Sequence, residues 1–268
     1  MNLAARPWIV AVILGLLALS PAHAGMTPEE VKAFEGYKVQ AENGESVAQF
    51  NLGNCYADGE GVAKDQVQAV SWYRKAAEQG LVQAQFNLGN SYANGEGVAK
   101  DYERAVSWIR KAAEQGFAPA QYNLGIKYDT GAGVAKDQVQ AVSWYRKAAE
   151  QGIPQAQDNL GLCYANGEVV AKDLVQAVSW FRKAAEQGFA PAQLNLGVSY
   201  YAGYGVAKDE IEAYAYWNLA AIAIESARKK LTILEKSMPQ EARLLGQQRA
   251  KELQKEIEAK IASKAAGK

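Results

Sequence analysis

The sequence repeats itself. A stretch beginning Ala48-Gln49-Phe50-Asn51-Leu52-Gly53 recurs almost verbatim from Ala84, Ala120, Ala156 and Ala192, a fixed period of 36 residues over most of the chain. Such a chain is one small unit stacked on itself, because each copy can bury its apolar face only against its neighbours. The two ends of the stack then need covers of a different kind.

Within each copy the punctuation predicts two helices. Ala48, Leu52 and Tyr56 recur at i, i+4 and i+8 and form one apolar stripe. Gly53 beside Leu52 lets a second helix come close, despite a helix-propensity cost of about 1 kcal/mol. Gly59 and Gly61 then break the helix, and Val62 anchors the loop in the core. Asp65, Asp101, Asp137, Asp173 and Asp209 stand where second helices need N-caps. That second helix is predicted to carry Val67, Ala69, Val70, Trp72, Tyr73, Ala76 and Ala77 inward and to stop at Gly80. By the same period, Trp72, Trp108, Trp144 and Trp180 are predicted core.

The termini depart from the period. Residues 1–24 read as an export signal: Arg6 at the start, an apolar core from Trp8 to Leu19, and Ala22-His23-Ala24 as the cleavage site. That core is too short to span a bilayer, and no cysteine follows the site to take a lipid anchor. Residues 25–47 read as a capping half-repeat: Thr27 caps a helix, Pro28 begins it and Glu30 answers the cap. Here Ala33, Tyr37, Ala41 and Gly44 align with Ala69, Tyr73, Ala77 and Gly80. The five full repeats occupy 48–224. Residues 225–268 read as closing helices and a tail: one helix over Ser226 to Glu235, then a longer one after Ser237-Met238-Pro239. The longer helix puts Ala242, Gly246, Ala250, Leu253, Ile257 and Ile261 on one face and Arg249, Glu252, Lys255, Glu256 and Lys260 on a solvated one. Ser263 to Lys268 are expected to fray.

Processing at Gly25 removes His23, the only histidine, so Ser-His, Cys-His and His-ligand metal chemistry are excluded for the mature chain. It also removes Arg6, leaving 28 basic against 29 acidic residues. A near-neutral chain of interspersed sign gives no case for nucleic acid, and none for membrane insertion once the signal is gone. Cys55 and Cys163 lie three repeats apart, on the order of 30 Å at helix-pair spacing, and are expected to stay unbridged. The loop Gly131-Ala132-Gly133-Val134-Ala135-Lys136 lacks the glycine and Lys-Ser/Thr pattern of a phosphate loop and reads as turn geometry. No cofactor and no metal are expected.

The pattern A-x-x-x-L-G-x-x-Y-x-x-G-x-G-V-x-x-D followed by A-x-x-W-Y-x-x-A-A-x-x-G resembles the Sel-1-like repeat of the tetratricopeptide-repeat superfamily, exported bacterial type. The resemblance covers five copies and the leading half-copy. It implies an all-α fold, a right-handed α-solenoid of antiparallel helix pairs with C-terminal capping helices, whose first helices line a concave groove. Two departures stand out: Val169 replaces the second loop glycine of repeat four, and Tyr216-Trp217 inverts the usual order in repeat five.

On the first helix two offsets vary between copies, and in this superfamily they point into the groove. They give Phe50, Phe86, Tyr122, Asp158 and Leu194, then Asn54, Asn90, Ile126, Leu162 and Val198. Aromatic and amide groups lie towards one end and aliphatic groups towards the other, which suits an extended peptide or a partner helix. The sequence thus reads as a non-enzymatic exported scaffold, periplasmic or secreted, that binds a protein or peptide partner; its oligomeric state is open. The alternative is a periplasmic hydrolase of β-lactam or cell-wall type, since Ser226 and Lys229 match S-x-x-K. Some cysteine-rich relatives of the repeat family are β-lactamase-like, but they pair cysteines within each repeat, and S-D-N and K-T-G are absent here.

Overall fold

The computed structural model describes residues 26–167 and 169–266. Residues 1–25, where the export signal and its cleavage site are expected, lie outside the described residues, as do Glu168, Gly267 and Lys268. Those described contain thirteen α-helices and no strand, arranged as an all-α solenoid. After α1 (Pro28–Glu42) come five helix pairs: α2 (Ser46–Asp58) with α3 (Gln66–Glu78), α4 (Val82–Asn94) with α5 (Tyr102–Glu114), and α6 (Ala118–Thr130) with α7 (Gln138–Glu150). Then follow α8 (Pro154–Asn166) with α9 (Leu174–Ala185) and α10 (Ala190–Ala202) with α11 (Glu210–Ala220). The chain closes with α12 (Glu225–Ser237) and α13 (Gln240–Ala266). From α1 to α12 each helix packs against its sequence neighbours, and α13 lies along α11.

Local chemistry sets the boundaries. The Asp65 carboxylate accepts from the Val67 and Gln68 amides at 2.9 and 3.0 Å, and Asp101, Asp137, Asp173 and Asp209 cap their helices in the same way. Each such cap stabilises its helix by about 1 kcal/mol. Gly59 closes α2 at φ 84° and Gly61 follows at φ 70°, a left-handed pair that side chains disfavour. Val169 takes the position of Gly61 in repeat four.

Leu52, Leu88, Leu124, Leu160 and Leu196 are fully buried, each contributing roughly 1.5–3 kcal/mol of transfer energy. Gly53, Gly89, Gly125, Gly161 and Gly197 are the contact points between paired helices. A Cβ on Gly53 would lie 2.6 Å from the Tyr73 ring, and one on Gly161 2.6 Å from Phe181.

This contact corrects the predicted core. Tyr73, Ile109, Tyr145, Phe181 and Trp217 fill the space against the glycines and are buried. The tryptophans one residue earlier, Trp72, Trp108, Trp144 and Trp180, are half-buried. Each has a lysine ammonium over its ring: Lys75 at 3.6 Å, Lys111 at 4.0 Å, Lys147 at 3.9 Å and Lys183 at 3.8 Å. A position shared between the stack and water takes an amphipathic ring with a cation above it. Val67, with its equivalents Val139 and Val175, lies in the first turn of a second helix, before the stacked stripe begins, and is exposed rather than inward.

A polar seam missed in the sequence runs between repeats. Gln49, Gln85, Gln121, Gln157 and Gln193 are buried. Gln121 donates to the Ala113 carbonyl at 3.1 Å and accepts from Gln151 at 2.7 Å, and Gln151 also donates to the Gly116 carbonyl at 3.1 Å. Equivalent bonds join Gln49 to Ala41 and Gln79, and Gln85 to Ala77 and Gln115. The carbonyls at the C-terminal end of each second helix are thereby partly satisfied by the next repeat.

At the start, Thr27 and Glu30 form the expected capping box. In α1 it is Phe34 and Ala41 that are buried, while Ala33 is exposed, having no earlier repeat to meet. Phe34 packs edge-on to Tyr56 at 5.5 Å. At the far end Gly246, Ala250, Leu253 and Ile257 of α13 are buried, but Ile261 is half exposed. Arg249 is not on a solvated face: it reaches Glu212 of α11 at 2.7 Å and Glu256 at 3.2 Å. Burial opposes its charge, and those two carboxylates outweigh that and raise its pKa. The segment expected to fray is helical through Ala266.

Candidate functional site

The first helices α2, α4, α6, α8 and α10 carry the ten candidate groove residues. Phe50, Asn54, Phe86, Asn90, Tyr122, Ile126, Leu194 and Val198 are half-buried and Leu162 is exposed. The rings lean on neighbouring rings: Phe50 on Tyr73 at 5.9 Å, Tyr122 on Tyr145 at 6.0 Å, and Phe86 edge-on to Phe117 at 5.4 Å. They therefore share their surface between the stack and the open face. Leu194 packs with Val198 in the terminal core, where the Trp217 indole donates to the Leu194 carbonyl at 3.2 Å.

Asp158 differs from the rest. Its side chain is buried, 5% exposed, and accepts from Asn195 at 2.9 Å. Burial raises its pKa, and the Asn195 bond works against that rise. Burial also raises the pKa of the Tyr122 phenol, with the Asp158 carboxylate adding to it. So Asp158 sits within the groove floor rather than on the open face.

A row of asparagines, Asn51, Asn87, Asn123, Asn159 and Asn195, escaped the sequence reading. All five are half-buried. Asn123 donates to Asn90 at 3.4 Å, and Asn87 and Asn159 hydrogen-bond with the hydroxyls of Tyr73 and Tyr145 in the preceding repeat. The signal was available, since this asparagine recurs unchanged in every copy, but a polar residue is readily taken for solvated surface.

Two hollows open between successive first helices. One, of about 390 Å³, lies between repeats one and two and is lined by Asp58, Tyr73, Asn87, Asn90 and Glu96 among others. The other, of about 190 Å³, lies between repeats three and four, where Asp129, Gln138, Tyr145, Asn159, Leu162 and Val169 line it. The Tyr73 hydroxyl donates to Asn54 at 2.8 Å. Burial first, then Asp58 and Cys55, push its pKa up to about 12, against the Asn87 bond. Burial and Asp129 raise Tyr145 likewise. Cys55 is buried and Cys163 half-buried, and neither is in a disulfide.

Ser226 and Lys229 are both exposed near the start of α12 and belong to neither hollow's lining. Among the described residues no group of His, Cys, Asp and Glu is arranged to hold a metal ion, and no helix is long and apolar enough to cross a membrane.

These features define an α-solenoid of helix pairs with a variable face along its first helices. The chain belongs to the Sel1 repeat family, whose repeat matches residues 46–81, 82–117, 118–153, 154–189 and 190–223. It is similar to a Sel1 repeat protein from Oxalobacter formigenes, at 37% identity over 75% of this chain and 58% of that one, with a TM-score of 0.68. It is also similar to c5321, a protective antigen of uropathogenic Escherichia coli with an SLR fold, at 30% identity over 85% of this chain and 64% of that one, TM-score 0.44. A third likeness is to a Sel1 repeat protein from Klebsiella pneumoniae, at 24% identity over 75% of this chain and 99% of that one, TM-score 0.46. This chain thus spans under two thirds of the length of the first two. No curated protein matches it.

Proposed function

We propose that this protein is an exported, non-enzymatic scaffold that holds an extended segment of another protein along the face of its first helices. The observation that carries the reading is the division of labour on those helices. Fully buried positions make the stack, while the half-open positions combine variable rings and aliphatic groups with a constant row of amides. Asn87, Asn123 and Asn159 each keep amide valences beyond the bonds described, as hydrogen-bonding a main chain requires, and Phe50, Phe86 and Tyr122 offer apolar surface between them. Sel1 repeats are protein-interaction modules, and this supports the partner class without naming the partner.

The test is site-specific photocrosslinking in cells. A photoreactive phenylalanine replaces Phe86, Ile126 or Val198, or, as controls, the exposed Val67 or Val139. The expected result is one shared adduct from the first set and none from the controls. Adducts from the control positions alone would place the partner elsewhere and sink the reading. Export is tested separately by fusing residues 1–24 to a reporter enzyme that matures only in an oxidising compartment; an inactive reporter rejects it.

A further inference from the structure

The two hollows share a chemistry that the other interfaces lack. Repeats one and three place a tyrosine against the contact glycine, Tyr73 and Tyr145, and each carries a carboxylate in the last turn of its first helix, Asp58 and, one place earlier in the repeat, Asp129. In repeats two and four the tyrosine place holds Ile109 and Phe181, and the two carboxylate places hold Asn94 and Asn166, and Ala93 and Ala165. Packing does not require the hydroxyl, because Ile109 and Phe181 are as well buried without one. Burying a phenol brings a desolvation penalty that an alkyl or phenyl group escapes. Among the described residues neither Asp58 nor Asp129 is in an ion pair. Each hollow has one more carboxylate than cation: Asp58 and Glu96 against Lys64 in the first, Asp129 alone in the second. Between them, Lys127 occupies the place of Ser91 and Cys163, with its ammonium 5.4 Å from the Tyr102 ring.

We infer that these hollows are paired anchor sites for two basic side chains, lysine or arginine, on one extended partner segment. The inference rests on the extended-partner reading above and specifies its charge and register. Successive repeats stack at roughly 10 Å, so the anchors lie about 20 Å apart. An extended chain advances ~3.3 Å per residue, which puts the two basic residues about six positions apart. In each hollow the ammonium or guanidinium meets the carboxylate and the tyrosine oxygen, a combination of ion pair and charge-assisted hydrogen bond. Lys127 repels a third cation midway, so spacing and not total charge decides binding.

The experiment uses the mature protein and fluorescent twelve-residue peptides in a Gly-Ser-Tyr background, with two arginines three, six or nine positions apart, read by polarisation at low ionic strength. The six-position peptide is expected to bind at least tenfold more tightly than the others. Asp58→Asn and Asp129→Asn should each remove about tenfold of that affinity with an unchanged melting temperature, while Glu78→Gln on an outward helix face should not. A flat spacing series, no binding by any peptide, or affinity indifferent to both aspartates overturns the inference. Ile126→Lys separates this failure from that of the broader reading. If binding ignores the aspartates but is lost on blocking the groove, the groove stands without its basic anchors; if peptides bind through Ile126→Lys undiminished, the groove itself is misplaced.

Discussion

Gly125 offers the sharpest test of how the helix pairs are held. A Cβ built on it would lie 2.6 Å from Cδ1 and Cε1 of Tyr145 and 3.3 Å from the Ala141 carbonyl oxygen. Carbons pack at ~3.5–4.0 Å, so Gly125→Ala needs the ring to retreat by roughly 1 Å. The ring has little room: Tyr145 is buried and leans on Tyr122. Overpacking of this kind costs about 1–3 kcal/mol, whereas alanine gains about 1 kcal/mol over glycine in a helix interior. Gly36 in α1 has no atom within 4 Å of the same Cβ, so Gly36→Ala collects the propensity gain alone. Comparing the two substitutions cancels the propensity and leaves the clash, about 1–3 kcal/mol.

Urea unfolding followed by far-ultraviolet circular dichroism reads the difference. The midpoint should rise for Gly36→Ala and fall, or fail to rise, for Gly125→Ala. In a Tyr145→Ala background the ring is gone, and Gly125→Ala should become neutral or stabilising, which gives the pair a coupling energy of opposite sign. If Gly125→Ala stabilises the intact protein as much as Gly36→Ala does, the close approach is not there and the account of the pairing glycines fails.

Trp144→Ala should cost less than the ~3–5 kcal/mol of a fully buried ring, because part of its surface already faces water beneath Lys147, while Leu124→Ala should cost ~2–5 kcal/mol; a Trp144→Ala loss at or above that range by urea titration would restore the tryptophan to the core. Gln121→Leu removes the bonds to Ala113 and Gln151 and should destabilise by about 1–3 kcal/mol, against little change for exposed Gln140→Leu. In the native protein Cys163 should react with a thiol reagent before Cys55, whose thiol is buried and has its pKa raised by that burial; in denaturant both should react without prior reduction. Asp158→Asn should stabilise at neutral pH while keeping the Asn195 bond. Burial raises the folded pKa of Asp158 above its unfolded value of 3.8, so the wild type carries the penalty above the folded pKa and sheds it as pH falls through it. The advantage of the variant should therefore shrink towards acid in paired melts, and a pH-independent advantage would count against the buried charge.

The caps, breaks and stacked helices were legible because each depends on one residue type at one place: Asp65 before a helix, Gly59 after one, Leu52 at its centre. The choice between Trp72 and Tyr73 was not. Adjacent residues on a helix differ by about 100°, and a helix flanked by neighbours on both sides has an inward arc wide enough for either. Lys75, three residues after Trp72 in every complete second helix of that type, was the available sign of a ring at the water boundary. Gln49 and Asn51 were overlooked for a shared reason: binary patterning counts amides as surface, yet a stack of near-identical units repeats the same unsatisfied carbonyl at every joint and can satisfy it with the same amide each time. Asp158 was read as open because of its offset in the repeat, and its burial goes with a bond from Asn195, 37 residues further on.

The ends explain the departures of repeat five. Inner repeats meet a helix pair on their outer side, with Val70 facing it, whereas α11 meets mainly one long helix, α13. The residue corresponding to Val70 is Tyr214, and Tyr216 and Trp217 beside it are buried too. Tyr214 fits because α13 offers Gly246, where a Cβ would lie 2.6 Å from the ring. Tyr216 stacks on Tyr200 at 5.9 Å and 7°, where a Trp-Lys pair would otherwise face water. The glutamine seam ends at the same point. Ala223 stands where Gln79 and Gln151 stand in earlier copies, and the Gln187 oxygen is met by Lys264 at 3.2 Å, next to the Lys260–Glu186 pair at 2.9 Å. A sixth repeat docked here would find neither the amide that joins copies nor the glycine that admits Tyr214. The length of the array is thus written into α11 and the residues just after it, which accept α13 and reject another copy.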